Sequence, residues 1–307
     1  MRLALLLLVA CGGGSPADPS GDGADGADGA DGGTDGGVDD PSAHTYTDDR
    51  PSPALSLDAA AAGAQAGIDA LAAIDPVVLY EGYEEAMRQG SPDCPGTYPA
   101  VGLTMGWAND CTTGMGWSYR GRSQLAWVAD VFVDDQRMSR FGEFITNAEI
   151  THPGGAVLDI EGYGELRAWD DAGVARTDTW LFGTFSQAGD WLDADWLDAG
   201  ASVSVVVERA DGPDGQTAWF DGGLSRDPTL PDGVAGLTLR SLSLTRAGGA
   251  CVAAGEAVVL GGDGARVTVS LAGEGATCAA CGPATLGGDS LGEVCLDLDA
   301  LLPEEPS

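Results

Sequence analysis

The chain has 307 residues and a formal net charge of −34, because 48 acidic residues stand against only 14 basic ones. This charge repels nucleic acid and anionic lipid headgroups, so neither is expected as a direct partner. Every basic residue is an arginine and only two residues are histidines, which excludes phosphate-loop lysines, Schiff-base lysines and a zinc site built from several histidines.

Residues 1–10 have the pattern of a secretory signal peptide, with one positive charge at Arg2 before a short apolar run. The run is much shorter than the roughly 20 residues of a membrane-spanning helix. The motif Leu8-Val9-Ala10-Cys11 resembles the lipobox of bacterial lipoproteins. That resemblance implies cleavage before Cys11, acylation of its thiol and a lipid anchor; Gly12 in place of Asp favours the outer membrane. The alternative is an ordinary signal peptide with a chance cysteine.

Residues 11–50 are rich in glycine and aspartate and contain few apolar side chains. Such a segment buries too little apolar surface to offset the entropy of ordering it, so we expect a disordered tether. A glycine-rich chain of this length spans roughly 35 Å, and repulsion between aspartates extends it further. The aspartates also suggest weak calcium binding, as an alternative to a segment that serves only as a spacer.

Residues 51–90 are the helical segment of the sequence. An alanine-rich stretch from 57 to 74 meets Asp75-Pro76, a capping residue followed by proline at the first helical position. Apolar side chains then recur at helical spacing up to Gly90, namely Leu79, Tyr80, Tyr83, Ala86 and Met87. We predict that this stripe packs against a sheet.

The sequence pattern of residues 91–307 predicts antiparallel β-structure. Apolar and polar residues alternate from Met115 to Val133 and again in VLDIEGYGELRAW (157–169), as in strands with one buried face. Because no helical crossover separates the strands, we predict a mainly β fold: a large antiparallel up-and-down meander with one N-terminal helical segment. About ten strands are more than a flat open sheet usually contains, so a curved sheet, a sandwich or a barrel is expected.

Carboxylates along the second of these strands are the best enzymatic candidates. Asp159, Glu161 and Glu165 share one face with Tyr163, and strand residues two apart are about 6.5–7 Å apart, within the range of glycosidase carboxylate pairs. The alternative is an ordinary solvated sheet face. His152, before Pro153, is expected in a turn.

The repeat DWLDADWLDAG (190–200) is predicted to form a loop. Trp191 and Trp196 with Asp193 and Asp195 suit a sugar platform or a calcium-assisted contact. The two tryptophans pack equally well over the edge of a core.

Besides Cys11 the chain has six cysteines, an even number that predicts three disulfides in an exported protein. Cys94 and Cys111 are isolated from the rest and are predicted to pair. Four cysteines remain near the C-terminus: Cys251, Cys278, Cys281 and Cys295. They could staple a subdomain covering about 248–300.

The pairing of the last four cysteines depends on a hairpin predicted in residues 283–298, turning near Gly288-Asp289. If Leu286 faces Ser290, then Cys281 faces Cys295 and leaves Cys251 to Cys278, although a slip of one residue would undo this. The spacing Cys278-Ala279-Ala280-Cys281 also fits a redox motif or a zinc site, but the surrounding proline and glycines argue against the helix that a redox cysteine requires.

The sequence therefore predicts a lipid-anchored envelope protein with a non-enzymatic binding or structural role. Its expected partners are the membrane, through the lipid, and an envelope polysaccharide or protein; no cofactor is expected apart from calcium as a candidate. The alternatives are a secreted glycan hydrolase and a calcium-stabilised adhesion module. The plan of lipobox, spacer and cysteine-stapled β domain resembles uncharacterised envelope lipoproteins, and that resemblance implies no activity.

Overall fold

The computed structural model describes residues 55–96, 98–99, 105–107, 110–225 and 227–302, which belong to one compact unit. The predicted signal peptide, the lipidation site Cys11 and the tether lie outside the described residues. The helices are α1 (Leu57–Ala73), α2 (Pro76–Arg88), α3 (Asp195–Ala199) and a 3-10 helix (Asp299–Leu301). The strands are β1 (Tyr98–Pro99), β2 (Met105–Trp107), β3 (Cys111–Thr112), β4 (Ser118–Val133), β5 (Gln136–Thr151), β6 (Val157–Asp171), β7 (Val174–Ala188), β8 (Ala201–Gly212), β9 (Gly215–Ser225), β10 (Val234–Ala247), β11 (Ala250–Gly261), β12 (Arg266–Gly275), β13 (Ala279–Leu286) and β14 (Asp289–Asp297).

All described strands belong to one antiparallel sheet. From β4 to β14 each strand pairs with the next one along the chain; β1 and β2 precede β4, and β3 pairs with β4 beside this path. The predicted up-and-down meander is confirmed. The sheet is open, because its path begins at β1 and ends at β14 without joining them.

The helices cover one face of this sheet, which we call the inner face. Asp75 caps α2 by accepting a hydrogen bond from Val77 N at 2.9 Å, and Pro76 occupies the first turn, as predicted. Of the predicted apolar stripe, Leu79, Tyr80, Tyr83 and Ala86 are at most 1% exposed. Among the described helices none alone is long and apolar enough to cross a membrane; α1 and α2 pass that test only together, as a pair bent by 43°.

The inner face buries the main core. Leu158 and Ile160 are 0% and 1% exposed, whereas Asp159 and Glu161 between and after them are exposed, so the predicted alternation in β6 is confirmed. The predicted strand around Met115 begins later, at Ser118, because Met115 lies in a turn and is 61% exposed.

The three disulfides join Cys94 to Cys111, Cys251 to Cys278 and Cys281 to Cys295, which confirms the predicted pairing. The hairpin turn differs from the predicted one. The turn residues are Gly287 and Gly288, both with positive φ, so Leu286 faces Asp289 rather than Ser290. A bulge at Leu291 in β14, opposite Ala284 and Thr285, restores the register, and Cys281 then faces Cys295 directly.

Helix α1 also protects the edge of the sheet at β14. Gln65 donates from Nε2 to the carbonyl of Asp297 at 3.0 Å and accepts from its N–H at 2.9 Å. At Asp297, the last residue of β14, one amide side chain thus makes both hydrogen bonds that a neighbouring strand would make, and an unpaired strand edge is otherwise free to pair with another chain.

Candidate functional site

The strand register collects charged and aromatic side chains on the outer face of β5–β8. Side chains alternate along a strand, so residues two apart share a face and cross-strand partners lie side by side. Three rows result, which we call the outer patch: Phe141, Arg167, Asp178 and Glu208; Glu143, Glu165, Trp180 and Val206; Ile145, Tyr163, Phe182 and Ser204.

Aromatic rings form the centre of the outer patch. The rings of Tyr163 and Phe182 stack with their centroids 6.3 Å apart, and both side chains are partly exposed. The guanidinium carbon of Arg167 lies 5.5 Å from the ring centroid of Trp180. Ile145 is 51% exposed beside them. Such a surface offers flat apolar area and ring faces that attract cations.

Glu165 is a well-enclosed carboxylate of the patch, with a side chain that is 12% exposed. One of its oxygens accepts a hydrogen bond from the Tyr163 hydroxyl, and the other accepts one from Nε of Arg167. Arg167 also reaches Asp134 Oδ2 at 3.1 Å. Burial and the bond to Glu165 raise the pKa of Tyr163, so the phenol stays protonated and donates to the carboxylate.

Two pairs of carboxylates lie directly opposite each other in the patch. Glu143 faces Glu165 across β5 and β6, and Asp178 faces Glu208 across β7 and β8. Burial raises the pKa of Glu143, and the neighbouring Glu165 raises it further. The pKa of Asp178 is raised in the same way, by burial and then by Glu208. Like charges in this arrangement destabilise a sheet.

The structure separates the three carboxylates that the sequence singles out on β6. Glu165 belongs to the outer patch, whereas Asp159 and Glu161 lie on the same face but outside it, exposed and opposite Glu149 and Asn147. The charged partner of Glu165 comes instead from β5. Glu143 therefore could not be identified from spacing along a single strand.

The repeat at 190–200 contributes to packing. It contains the short helix α3, where only a loop was predicted, and Trp196 is 6% exposed with its ring 6.0 Å from that of Phe185. Trp191 stacks on His152 at 5.6 Å and donates from Nε1 to Glu85 at 3.3 Å. The carboxylates of this repeat, Asp193 and Asp195, are exposed. His152 precedes the turn of the β5–β6 hairpin, and its Nδ1 accepts from Gly154 N at 2.9 Å.

In the described part of the chain, one group of three side chains has donor atoms close enough to share a metal ion: Cys281, Glu293 and Cys295. Its two sulfurs are joined in a disulfide, and a disulfide offers no thiolate to a metal. Cys278 belongs to a different disulfide. The C-x-x-C spacing is therefore neither a zinc pair nor a redox pair.

A shallow cleft of about 350 Å³ lies between the β8–β9 and β10–β11 turns. Its cationic residue, Arg246, already donates to Asp299 Oδ1 at 2.6 Å and to Gln216 Oε1 at 3.4 Å. The outer patch is the stronger candidate because it combines rings, carboxylates and exposure.

Comparisons with profiles of known protein families, with curated proteins and with solved structures find no match.

Proposed function

We propose that this chain is a lipid-anchored protein of the bacterial envelope whose β domain binds polysaccharide through the outer patch without turning it over. The observation that carries this proposal is the set of partly exposed rings flanked by carboxylates: Trp180, Tyr163 and Phe182 beside Glu143, Glu165 and Asp178. Apolar ring faces with a few fixed polar groups are typical of ligand sites. Sugar rings stack on aromatic faces, and their hydroxyls donate to carboxylates.

The predicted location in the cell envelope supports the same proposal. The motif ending in Cys11 implies a lipid anchor, and three disulfides are typical of proteins that fold in an oxidising compartment outside the cytoplasm. A domain held in the envelope meets polysaccharide at high local concentration. Its net charge of −34 disfavours anionic partners.

The experiment is a set of melting curves on the full chain with Cys11→Ser, which removes the proposed lipidation site, against neutral, amine-bearing and anionic polysaccharides. A ligand that binds only the folded state at 100 times its Kd adds about 2.7 kcal/mol to the free energy of unfolding. We expect a shift with at least one polysaccharide, lost in Trp180→Ala. Curves with calcium and with chelator test the proposed calcium association of the acidic segments.

The matched control is Trp191→Ala, which removes another partly buried tryptophan away from the patch. This variant should bind like the parent chain. If Trp191→Ala loses binding and Trp180→Ala keeps it, the repeat at 190–200 is the binding site and our assignment is wrong. If no polysaccharide shifts the curve, the proposed function is wrong.

A glycan hydrolase is the second candidate, favoured by the Glu143–Glu165 pair. Directly paired residues place their Cβ atoms about 5 Å apart, compatible with the carboxyl separation of retaining glycosidases. The raised pKa of Glu143 suits a general acid, and the engaged Glu165 suits a nucleophile. We expect the parent chain not to cleave nitrophenyl glycosides; turnover abolished by both Glu143→Gln and Glu165→Gln would establish the hydrolase instead.

A further inference from the structure

The outer patch keeps an arrangement of charges that costs stability. Glu143 faces Glu165 and Asp178 faces Glu208, and like charges directly opposite each other destabilise a sheet. Arg167 lies between the two pairs and is already bound to Glu165 and to Asp134. Arg176, two residues from Asp178 on β7, is bound to Asp171 at 3.1 Å. The four carboxylates thus exceed the positive charge that the patch itself supplies.

Trp180 borders one carboxylate of each pair. It is next to Glu165 in its row and two residues from Asp178 on β7. Arg167 already places its guanidinium over this ring, which shows that the ring accepts a cation in this environment. A cation held over an aromatic ring and beside desolvated carboxylates gains from both contacts.

The size of the patch decides between a macromolecular interface and a short ligand. Three intervals between strands cover about 14 Å, and two steps of two residues along a strand cover about 14 Å. The resulting area of about 200 Å² is a quarter of the roughly 800 Å² that each partner buries in a standard protein interface. The patch therefore fits a few sugar rings better than a folded basic protein.

We propose that the outer patch selects polysaccharide that bears protonated amines, with the amines between the two carboxylate pairs and the sugar rings on Trp180 and Tyr163. This inference rests on the proposed polysaccharide binding and names its ligand class. The net charge of the whole chain attracts the same polymers over a longer range. Local charge and ring geometry then supply the selectivity.

The test compares two polymers that differ only in the amine. Binding of glucosamine oligomers and of N-acetylglucosamine oligomers of equal length to the Cys11→Ser chain is measured by calorimetry at about pH 6, where amines are protonated and most carboxylates ionised. We expect the glucosamine oligomers to bind at least about tenfold more tightly, equivalent to about 1.4 kcal/mol.

Two variants of the patch and one matched control locate the effect. Glu143→Gln and Asp178→Asn should each weaken binding of the glucosamine oligomers by about threefold to tenfold while raising the melting temperature, because each removes one like-charge contact. Glu161→Gln removes the same charge from the same face of β6 outside the patch. Its affinity should equal that of the parent chain.

The outcomes separate this inference from the proposed function. Equal binding of both oligomers, lost in Trp180→Ala, would overturn the amine selectivity and leave polysaccharide binding intact. Binding of neither oligomer nor any other polysaccharide overturns both. An oligo-arginine peptide that binds as tightly as the glucosamine oligomers, or an equal loss in Glu161→Gln, would identify diffuse charge attraction and overturn the inference.

Discussion

Glu143 shows how one residue of the candidate site can lower the stability of the fold at neutral pH. Its pKa is raised in the folded chain by burial and by Glu165, so the folded state binds its proton more tightly than the unfolded state does. For an acid this stabilising effect is complete below the ordinary glutamate pKa and is lost as pH rises through the folded-state pKa. Glu143 therefore opposes folding at neutral pH.

We predict that Glu143→Gln is more stable than the parent chain at pH 7, by up to about 1 kcal/mol. The two chains should converge as pH falls below the ordinary glutamate pKa, because both side chains are then neutral. Urea unfolding at pH 7 and at about pH 4 measures this. A variant that is less stable at pH 7 would show that Glu143 makes a stabilising contact with its carboxylate, contrary to the like-charge argument.

Two buried tyrosines of α2 differ in the hydrogen bonding of their hydroxyls, and a mutation can isolate this difference. The Tyr83 hydroxyl donates to Ser123 Oγ at 2.5 Å and lies 2.8 Å from Thr146 Oγ1, and burial raises its pKa to about 12. The Tyr80 hydroxyl is buried with no hydrogen-bond partner among the described residues. Its ring stacks on Trp127 with centroids 4.9 Å apart, so packing rather than the hydroxyl holds it.

We predict opposite effects of removing the two hydroxyls. Tyr83→Phe leaves the Ser123 hydroxyl without its tyrosine donor, while Thr146 Oγ1 keeps the Arg122 carbonyl at 3.2 Å. This change should lower the free energy of unfolding by about 1–3 kcal/mol. Tyr80→Phe removes an unpaired buried hydroxyl and should be neutral or stabilising. Chemical unfolding of the two variants side by side is the measurement. Equal losses in both would contradict the assigned hydrogen bonds.

At the scale of elements, local signals predicted much of what the structure shows. The cap at Asp75-Pro76, the stripe of α2 and the alternation in β6 depend on neighbours in sequence, and all three are confirmed. The predicted start of β4 at Met115 is wrong, because Met115 continues the alternation although it lies in a turn, and the strand begins at Ser118. Alternation records which side a residue faces and carries no information on where pairing begins.

The β13–β14 hairpin shows why a correct pairing can follow from an imperfect register. Two glycines at 287 and 288 make the turn one residue tighter than predicted, and the bulge beside Thr285 compensates. Cys281 and Cys295 return to opposite positions. A bulge of this kind depends on packing across the sheet and has no unambiguous local signal.

The different exposure of the cysteines predicts the order in which two of the disulfides are reduced. Cys295 is exposed on the edge strand, whereas Cys251 and Cys278 are each 1% exposed. Because thiolate attack requires access to a sulfur, a small thiol under native conditions should open Cys281–Cys295 before Cys251–Cys278. Timed alkylation and peptide mass mapping reveal the order. Earlier opening of Cys251–Cys278 would show that the core opens more readily than the edge.

At the scale of the whole molecule, the candidate site depends on pairing between distant parts of the chain. Glu165 was identified from its own strand, but Glu143, Asp178 and Trp180 come from other strands and become neighbours only through the register of two hairpins. Each of those strands alternates clearly by itself. The combination of their outward residues into rows could not be predicted, because it changes completely with a shift of one or two residues in any pair.

The proposed lipid anchor and the β domain are separate parts of the chain, which gives a last prediction. We predict that Cys11→Ser moves the exported chain from the membrane fraction to the soluble fraction, because the acyl chains that would hold it on the bilayer depend on this cysteine. The melting temperature and polysaccharide binding of the domain should not change, because the described core and outer patch lie within residues 55–302.

Gly12→Asp is the matched variant. It keeps the cysteine and, by the lipoprotein resemblance, should keep the chain membrane-bound while moving it from the outer to the inner membrane. Fractionation on a density gradient, with mass analysis of the N-terminal peptide for a diacylglycerol on Cys11, distinguishes the three chains. A parent chain found in the soluble fraction with an unmodified cysteine would contradict the anchor. The polysaccharide-binding proposal would then rest on the outer patch alone, because Trp180 and its flanking carboxylates need no lipid to bind a sugar.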